Sequence, residues 1–138
     1  MRRQFRLLEA DEVFLERLGV QWETFVEPGK PQYRWLLIHG FPVPEYLGQS
    51  CVEMLLNVPT NYPSQQLDMA WFYPALKRVD GVALNAVCLE TIEGRGFQRW
   101  SRHRLPESAW REGTDDLRTH LEFIATWFER EVQQCVPA

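Results

Sequence analysis

The stretch LLNVPTNYPSQQLDMAWFYP, Leu55 to Pro74, decides the arrangement of this chain because it joins two apolar segments through a turn. The segment that leads into it, CVEMLLNV (Cys51–Val58), has the length and the β-forming residues of a strand. Proline and polar residues around Tyr62–Pro63 then break the pattern, as turns do. A second strand is predicted over Met69–Tyr73, and the short connection favours an antiparallel pair.

Upstream of this stretch, the sequence predicts one short helix and two further strands. EADEVFLERLG (Glu9–Gly19) begins with acidic residues, continues with an apolar stripe and ends at glycine, which is the pattern of a helix. QWETFVE (Gln21–Glu27) and QYRWLLIHG (Gln32–Gly40) are rich in β-forming residues, and PGKP (Pro28–Pro31) between them predicts a turn. Together with the two strands above, these segments predict an antiparallel meander of about four strands.

Downstream, an irregular segment separates the meander from a final helix. Residues Ala75–Gly113 contain scattered glycine and proline without a sustained period. So long an irregular segment in a compact domain is usually functional, or else contains elements that the pattern has missed. A helix is predicted from Asp115 to about Gln133, with Thr114 as its N-cap. Its apolar stripe repeats every three to four residues and consists of Leu117, Leu121, Ile124 and Phe128. The predicted fold class is therefore α+β, with helices covering one face of the sheet.

Length and composition exclude several classes of function. The 138 residues predict a single domain, 1–138, because domains cluster at about 100–150 residues. A net charge of −4 argues against a protein whose main task is to bind nucleic acid. No apolar run approaches the about 20 residues that cross a membrane, and the N-terminus lacks the apolar core of a signal peptide. Without a glycine-rich phosphate loop or a metal-binding spacing, no cofactor is expected.

The cysteines indicate a reducing compartment and one candidate nucleophile. Cys51, Cys88 and Cys135 are odd in number and show no metal-binding spacing, which favours the cytoplasm over a disulfide framework. Cys51 and Cys135 are interpreted as structural or incidental. Cys88 lies within the apolar run of NAVCLET, and free cysteine suits both a core and a reactive site. Local chemistry therefore leaves both interpretations of Cys88 open.

A second group of candidate residues lies in GRGFQRWSRHR (Gly94–Arg104). His103 stands between two arginines, so it is either a general base or oxyanion partner, or part of a solvated basic loop. Ser101 is an alternative nucleophile, because residues two apart on an extended chain share a face with each other. The arginines alternate with aromatic residues, which suits nucleic acid and equally suits stacking on Trp100 and Trp110. No role is assigned to two further histidines, His39 and His120.

Much of the chain resembles the ubiquitin-conjugating enzymes. In that superfamily a strand ends in a pattern like F-P-x-x-Y-P-F-x-P-P, another strand follows, and the catalytic cysteine comes later in an I-C-L context. Pro59 and Tyr62–Pro63 lie at the corresponding spacing, and VCLETI (Val87–Ile92) is similar to the surroundings of that cysteine. The order of helix, meander, irregular segment and helix also agrees, so the resemblance covers nearly the whole chain.

The C-terminal half resembles more specifically a bacterial branch, the prokaryotic ubiquitin-conjugating-like family E. Its members carry G-x-x-x-Q-R-W-S-R-H, then a tryptophan, a glycine and an Asp-x-Leu entry to the last helix. The corresponding stretches here are GRGFQRWSRH (Gly94–His103), WREG (Trp110–Gly113) and DDL (Asp115–Leu117). Such proteins resemble components of gene clusters that also encode an activating enzyme, ubiquitin-like proteins and a JAB-type isopeptidase, which implies a bacterial conjugation pathway and, from this company alone, antiviral defence.

The resemblance implies a ubiquitin-conjugating-like fold and transfer of a ubiquitin-like protein. Cys88 would accept that protein as a thioester from an adenylating, activating enzyme and pass it to a protein target. In the superfamily an H-P-N sequence precedes the catalytic cysteine, and its asparagine helps to stabilise an oxyanion. That sequence is missing here, and Asn85 is the one side-chain amide between Tyr73 and Cys88 that could take this role. His103 would act as a base, and Ser101 would be the acyl carrier if the cysteine were dispensable.

Two other functions stay open from the sequence. The first is a non-catalytic docking module that binds the activating enzyme or the ubiquitin-like protein without carrying it. The second is a basic and aromatic nucleic-acid binder, against which the acidic composition argues.

Overall fold

The computed structural model describes residues 1–134, which form two α-helices and a six-stranded antiparallel sheet. Two single-turn 3-10 helices lie at Glu45–Leu47 and Pro106–Ser108. The helices and strands are α1 (Glu9–Leu18), β1 (Trp22–Glu27), β2 (Lys30–Pro42), β3 (Cys51–Asn57), β4 (Ala70–Tyr73), β5 (Val87–Ile92), β6 (Arg95–Trp100) and α2 (Leu117–Gln133). Neither helix of this part of the chain has the length and hydropathy to span a membrane.

The predicted meander forms the first four strands of the sheet, and a hairpin completes it. The strand order is β1-β2-β3-β4-β6-β5, so β6 pairs with β4 and leaves β5 at the edge. Glu93 and Gly94 connect β5 to β6 with positive φ angles of 51° and 75°, as a two-residue hairpin turn requires. The α+β prediction is confirmed, but the segment Ala75–Gly113 is not irregular throughout, because it contains β5 and β6.

The hairpin gave a weak signal in the sequence because β5 has little buried surface. Ile92 is the one buried residue of β5, whereas Cys88 and Leu89, on opposite faces of the strand, are both exposed. An edge strand of this kind lacks the apolar and polar alternation by which strands are recognised.

Both helices pack on one face of the sheet and bury the larger core there. This core is formed by α1, α2 and side chains of alternate strand positions. Trp100 lies at its centre, with its ring 5.6 Å from Phe72 and 5.5 Å from Phe128. The end of β6 is therefore held firmly against α2, and the residues that follow Trp100 start from a fixed position.

A smaller apolar cluster occupies the opposite face of the sheet. Its buried members are Phe25, Trp35, Leu37, Leu55, Trp71, Ile92 and Phe97. Ionic side chains lie beside this cluster: His39 is held between Glu23, at 2.7 Å, and Glu53, at 2.8 Å. Burial opposes the charged form of His39, but these two carboxylates outweigh it and raise its pKa.

The Tyr62–Pro63 turn predicted from the sequence is present and connects the two helices. The Tyr62 hydroxyl donates a hydrogen bond of 2.6 Å to Asp11, whose carboxylate is buried on α1. The Asp11 carboxylate also accepts from the backbone N–H of Leu117, the first residue of α2, at 3.4 Å. Burial raises the pKa of Asp11. One carboxylate thus ties the turn to the start of both helices.

The N-cap of α2 is Asp116, so the prediction of Thr114 was wrong. The Asp116 carboxylate accepts from the Thr119 backbone N–H at 3.1 Å, and the Thr119 hydroxyl accepts from the Asp116 backbone N–H at 2.9 Å. These reciprocal bonds form a capping box, which needs side chains three residues apart. Asp116 and Thr119 have that spacing, so the helix begins at Leu117.

Candidate functional site

Cys88 is an exposed free thiol on β5, the outermost strand of the sheet. It pairs with Arg99 of β6, and both side chains lie on the face opposite the helices. Because Cys88 is exposed, the interpretation of it as a buried core residue is wrong. Cys51 is exposed as well, and Cys135 lies outside the described residues.

The arginines of the Gly94–Arg104 segment are engaged with neighbouring groups. Arg99 forms an ion pair with Glu90, whose carboxylate also accepts from Trp71 Nε1 at 3.1 Å. Arg95 pairs with Glu53 at 3.1 Å. The remaining two arginines lie over tryptophan rings, Arg102 over Trp100 at 4.8 Å and Arg104 over Trp110 at 5.1 Å. This confirms the interpretation of an arginine-rich segment that stacks on aromatic residues.

Ser101 lies diagonally across the hairpin from Cys88. The pairing of β5 with β6 continues one residue further through a 2.9 Å hydrogen bond from Ser101 N to Ala86 O. Residues in such diagonal positions are typically about 7–8 Å apart. The structure therefore brings Cys88 and Ser101 to the same corner of the sheet. Asn85 is exposed at the entry to β5, followed by Ala86 with a positive φ of 52°.

His103 is oriented by a carboxylate that sequence reasoning did not find. Its Nδ1 lies 3.1 Å and 3.2 Å from the two carboxylate oxygens of Asp68, which precedes β4. When Nδ1–H donates to a carboxylate, the neutral ring presents Nε2 as a proton acceptor. The His103 side chain is 60% exposed. A carboxylate that holds Nδ1 in this way is the arrangement that orients a histidine base in acyl-transfer chemistry.

His120, to which the sequence assigned no role, is a buried connector beneath this pair. Its Nε2–H donates to the Met69 carbonyl at 3.0 Å, and its Nδ1 accepts from Arg104 at 3.2 Å. Met69 follows Asp68 and Arg104 follows His103 along the chain. The Arg104 guanidinium lies 4.5 Å from the Phe123 ring of α2. Helix α2 thus fixes both segments that carry the Asp68–His103 pair.

The buried position of His120 keeps its ring neutral. Burial lowers the pKa of His120 to about 4, and the neighbouring Arg104 guanidinium adds to this effect. Arg104 can donate to Nδ1 only while that nitrogen is unprotonated. The neutral ring is therefore part of the folded arrangement.

Acid is expected to destabilise the protein through His120. Since the pKa is about 4 in the folded chain and about 6.5 in the unfolded chain, the unfolded chain binds the proton more readily between these values. The neutral His120 ring contributes fully to the free energy of unfolding above about pH 6.5. That free energy falls by on the order of 3 kcal/mol through His120 as the pH is lowered to 4. Urea unfolding of the wild type and of His120→Gln, from pH 7.5 to 4, checks this.

Glutamine retains an N–H donor and an oxygen acceptor but has no proton to bind in this range. Other titrating groups, including His39 and Asp11, occur in both proteins and cancel in the comparison. We expect the free energy of unfolding to fall less steeply with acid in His120→Gln. Equal slopes in the two proteins would contradict the assignment.

The segment between β4 and β5 is anchored before it reaches Cys88. The Gln98 side chain bonds both backbone groups of Leu76, accepting from its N–H at 2.9 Å and donating to its carbonyl at 3.0 Å. The buried Arg78 side chain donates to Glu131 of α2 at 3.0 Å and to Asp80 at 2.7 Å. A turn follows, closed by the bond from Gly81 N to Arg78 O. The turn has Asp80 and Gly81 at its end, directly before the residues that lead to Cys88.

The reactive groups described here are the Cys88 thiol and the Ser101 hydroxyl near the start of β5 and, two residues beyond Ser101, an imidazole bound to a carboxylate. Over residues 1–134, no group of three or more His, Cys, Asp or Glu side chains is arranged to hold a metal ion.

Comparison with known proteins assigns the family. Residues 7–131, most of the 138-residue chain, match the model of the family described as prokaryotic E2 family E. No curated protein and no solved structure matched the chain. The helix, antiparallel sheet and helix of the structure agree with the ubiquitin-conjugating-like fold. The chain therefore belongs to prokaryotic E2 family E and is a ubiquitin-conjugating-like protein.

Proposed function

We propose that this protein carries a ubiquitin-like protein between an activating enzyme and a protein target, with Cys88 as the carrier. The observation that supports this most is an exposed free thiol on the edge strand, at the corner that also holds Ser101 and leads to His103. The family membership supports a ubiquitin-conjugating-like role in general.

Two acyl transfers make up the proposed reaction. In the first, the Cys88 thiolate attacks the thioester carbonyl on the activating enzyme, whose own cysteine leaves as a thiolate. In the second, an amine or hydroxyl of the target attacks the new thioester, and Cys88 leaves as a thiolate. His103 Nε2 takes the proton of the attacking group, and Asp68 stabilises the resulting imidazolium. Asn85 donates to the oxyanion formed in each step.

A charging assay tests the carrier role. The protein is incubated with its activating enzyme, the ubiquitin-like protein and ATP, and the products are separated with and without reductant. We expect a covalent adduct that reductant removes. Absence of an adduct with an active activating enzyme would support the docking module instead.

Ser101 is the second candidate carrier, because it precedes His103 by two residues and lies diagonal to Cys88. An oxyester on Ser101 would resist reductant and yield to hydroxide. The same assay therefore distinguishes the two carriers by the chemistry of the adduct.

Nucleic-acid binding is less well supported by the arrangement of the arginines. Arg95 and Arg99 are paired with carboxylates, and Arg102 lies 3.8 Å from Glu131. These contacts reduce the positive charge available to a phosphate backbone. Salt-sensitive binding of DNA or RNA that is lost in Arg99→Ala would reverse this assessment.

We place the reaction in the bacterial cytoplasm. Cys51 and Cys88 are both exposed and free, and exposed thiols persist best in a reducing compartment. A role in antiviral defence is proposed only from the kind of gene cluster that the sequence resemblance implies.

Loss of the Asp68–His103 pair is expected to slow discharge, the transfer of the ubiquitin-like protein from the adduct to an amine, while the protein stays folded. Removing a general base typically costs about 10²–10⁴ in rate, so we expect His103→Ala to slow transfer to an amine at least 10²-fold. Asp68→Asn should slow it by a smaller factor, because the base remains but loses its orienting carboxylate. Single-turnover discharge of the preformed adduct measures both effects.

His39→Gln is the matched control, because His39 is also held by carboxylates but lies on β2, which β3 and β4 separate from the β5–β6 hairpin. Its discharge rate should stay within about threefold of the wild type, whereas the free energy of unfolding reports any structural loss in each variant. A His103→Ala variant with wild-type discharge would remove His103 from the mechanism.

A further inference from the structure

The outer edge of β5 presents backbone groups without partners in residues 1–134. Antiparallel pairs alternate between positions that exchange hydrogen bonds and positions that do not. Since Ser101 N bonds Ala86 O, the bonded positions of β5 that follow are Cys88, Glu90 and Ile92. The backbone N–H and C=O groups of Val87, Leu89 and Thr91 therefore point away from β6.

The opposite edge of the sheet is covered. Thr24 of β1 donates its backbone N–H to Arg2 O and accepts at its carbonyl from Gln4 N, both at 3.0 Å. The N-terminal segment thus lies along the outside of β1 through the parallel bridge between Arg3 and Thr24. Only one of the two sheet edges of the described chain is protected in this way.

The open edge has neither lysine nor proline, and the one charged residue of β5, Glu90, is paired with Arg99 of β6. Proteins discourage strand addition with lysine, proline or bulges. The residues of β5 whose backbone groups point outward are Val87, Leu89 and Thr91. Among them, Leu89 is 68% exposed. The strand therefore offers both hydrogen-bonding groups and an apolar contact to an added strand.

We propose that the edge of β5 binds the extended C-terminal tail of the ubiquitin-like protein as an added antiparallel strand. The proposal rests on the proposed carrier role of Cys88. Since Cys88 lies near the start of β5, the last carbonyl of a tail bound to it must lie at that end. The tail then enters beside Ile92 and runs opposite to β5, and its alternate backbone groups bond Thr91, Leu89 and Val87.

The first test uses a tethered peptide and needs no activating enzyme. The peptide has seven residues, threonines and valines followed by two glycines, and its C-terminus carries cysteamine as a pyridyl disulfide. The protein carries Cys51→Ser and Cys135→Ser, so Cys88 is its one remaining thiol. Cys88 displaces pyridine-2-thione and becomes joined to the peptide by a disulfide. The tether raises the local peptide concentration to the millimolar range. Amide hydrogen exchange of the labelled protein is then followed by NMR.

We expect the Leu89 and Thr91 amides to exchange at least tenfold more slowly in the tethered protein. The Glu90 amide already bonds β6 and should not change. Two control peptides are N-methylated, one at the odd-numbered amides and the other at the even-numbered amides, so each lacks the N–H donors of one edge. Only the peptide that lacks the donors facing β5 should fail to protect Leu89 and Thr91. Unchanged exchange at Leu89 and Thr91, or equal protection with both control peptides, would overturn the proposal.

A second test uses the charging assay with two variants at one position. Leu89→Pro removes the outward N–H without removing a bond to β6, whereas Leu89→Thr keeps that N–H and removes a similar apolar contact. We expect charging to fall at least tenfold in Leu89→Pro and less than threefold in Leu89→Thr, and equal losses would overturn the backbone interaction. If the wild type does not charge but the tethered peptide is protected, the carrier role fails and the strand-binding edge stands.

Discussion

Replacement of Cys88 by alanine is expected to reduce charging to background, and replacement by serine is expected to give an adduct that resists reductant. Alanine removes the nucleophile, whereas serine forms an oxyester in place of a thioester. A serine hydroxyl is a weaker nucleophile than a thiolate, so charging of Cys88→Ser should also be much slower. Time courses of charging, followed by reductant or hydroxide treatment, measure both effects.

Cys51→Ser is the matched control for these variants. Cys51 is also an exposed free cysteine, but it begins β3, away from the corner formed by β5 and β6. Its replacement should leave both the rate and the reductant sensitivity of charging unchanged. If Cys88→Ala instead charges at the wild-type rate with a hydroxide-sensitive adduct, Ser101 is the carrier, and Ser101→Ala should abolish that adduct.

The elements that could be predicted from the sequence are those with local signals. The strands that lead into and out of the Tyr62–Pro63 turn are marked by apolar runs and by proline, and both lie within a residue or so of their predicted bounds. The last helix was recognised by its apolar stripe. Its first residue was misjudged because Thr114, Asp115 and Asp116 are all good caps, and only the partner Thr119 selects Asp116.

The groups that support the candidate site could not be predicted, because they meet through the fold. Asp68 and His103 are 35 residues apart, and no local pattern pairs them. His120 lies on the apolar face of α2, where a histidine reads as one more core residue. Its role depends on the Met69 carbonyl, which lies 51 residues away along the chain. The sequence therefore indicated the candidate nucleophiles but not the groups that orient the base.

This difference has a physical cause. A candidate nucleophile such as Cys88 or Ser101 is recognised by its own chemistry, whereas a positioning group is recognised by its partners. Partners on different elements are brought together only by the register of the sheet and by the packing of α2. The pairing of β6 with β4 places His103 within reach of Asp68 at the start of β4.

The anchor between the β4–β5 segment and α2 leads to a large expected loss of stability when it is broken. Arg78 and Glu131 are both buried, and their side chains meet at 3.0 Å. Removing one member of a buried ion pair typically costs about 3–5 kcal/mol, because the other charge stays in a poorly solvated position. We therefore expect Glu131→Leu to lower the free energy of unfolding by on the order of 3 kcal/mol, measured with urea at pH 7.

Glu122→Leu provides the control, because Glu122 is on the same helix and pairs with Arg118 at an exposed i, i+4 position. Such pairs contribute about 0.3–0.5 kcal/mol, so this variant should lose no more than that. The double variant Arg78→Met, Glu131→Leu replaces both charges by apolar groups and should be much more stable than the sum of the single losses predicts.

The same variants separate the stability of the fold from the proposed reaction. Arg78 holds the chain that leads to Asn85 and Cys88, so Glu131→Leu should slow charging even under conditions where the protein remains folded. Asp80 keeps its two hydrogen bonds to Arg78, at 2.7 Å and 3.1 Å, so the local turn at Asp80 should persist in Glu131→Leu and only its attachment to α2 should be lost. If Glu131→Leu costs no more stability than Glu122→Leu, the buried pair does not anchor the segment, and Cys88 must be positioned by its pairing with β6 alone.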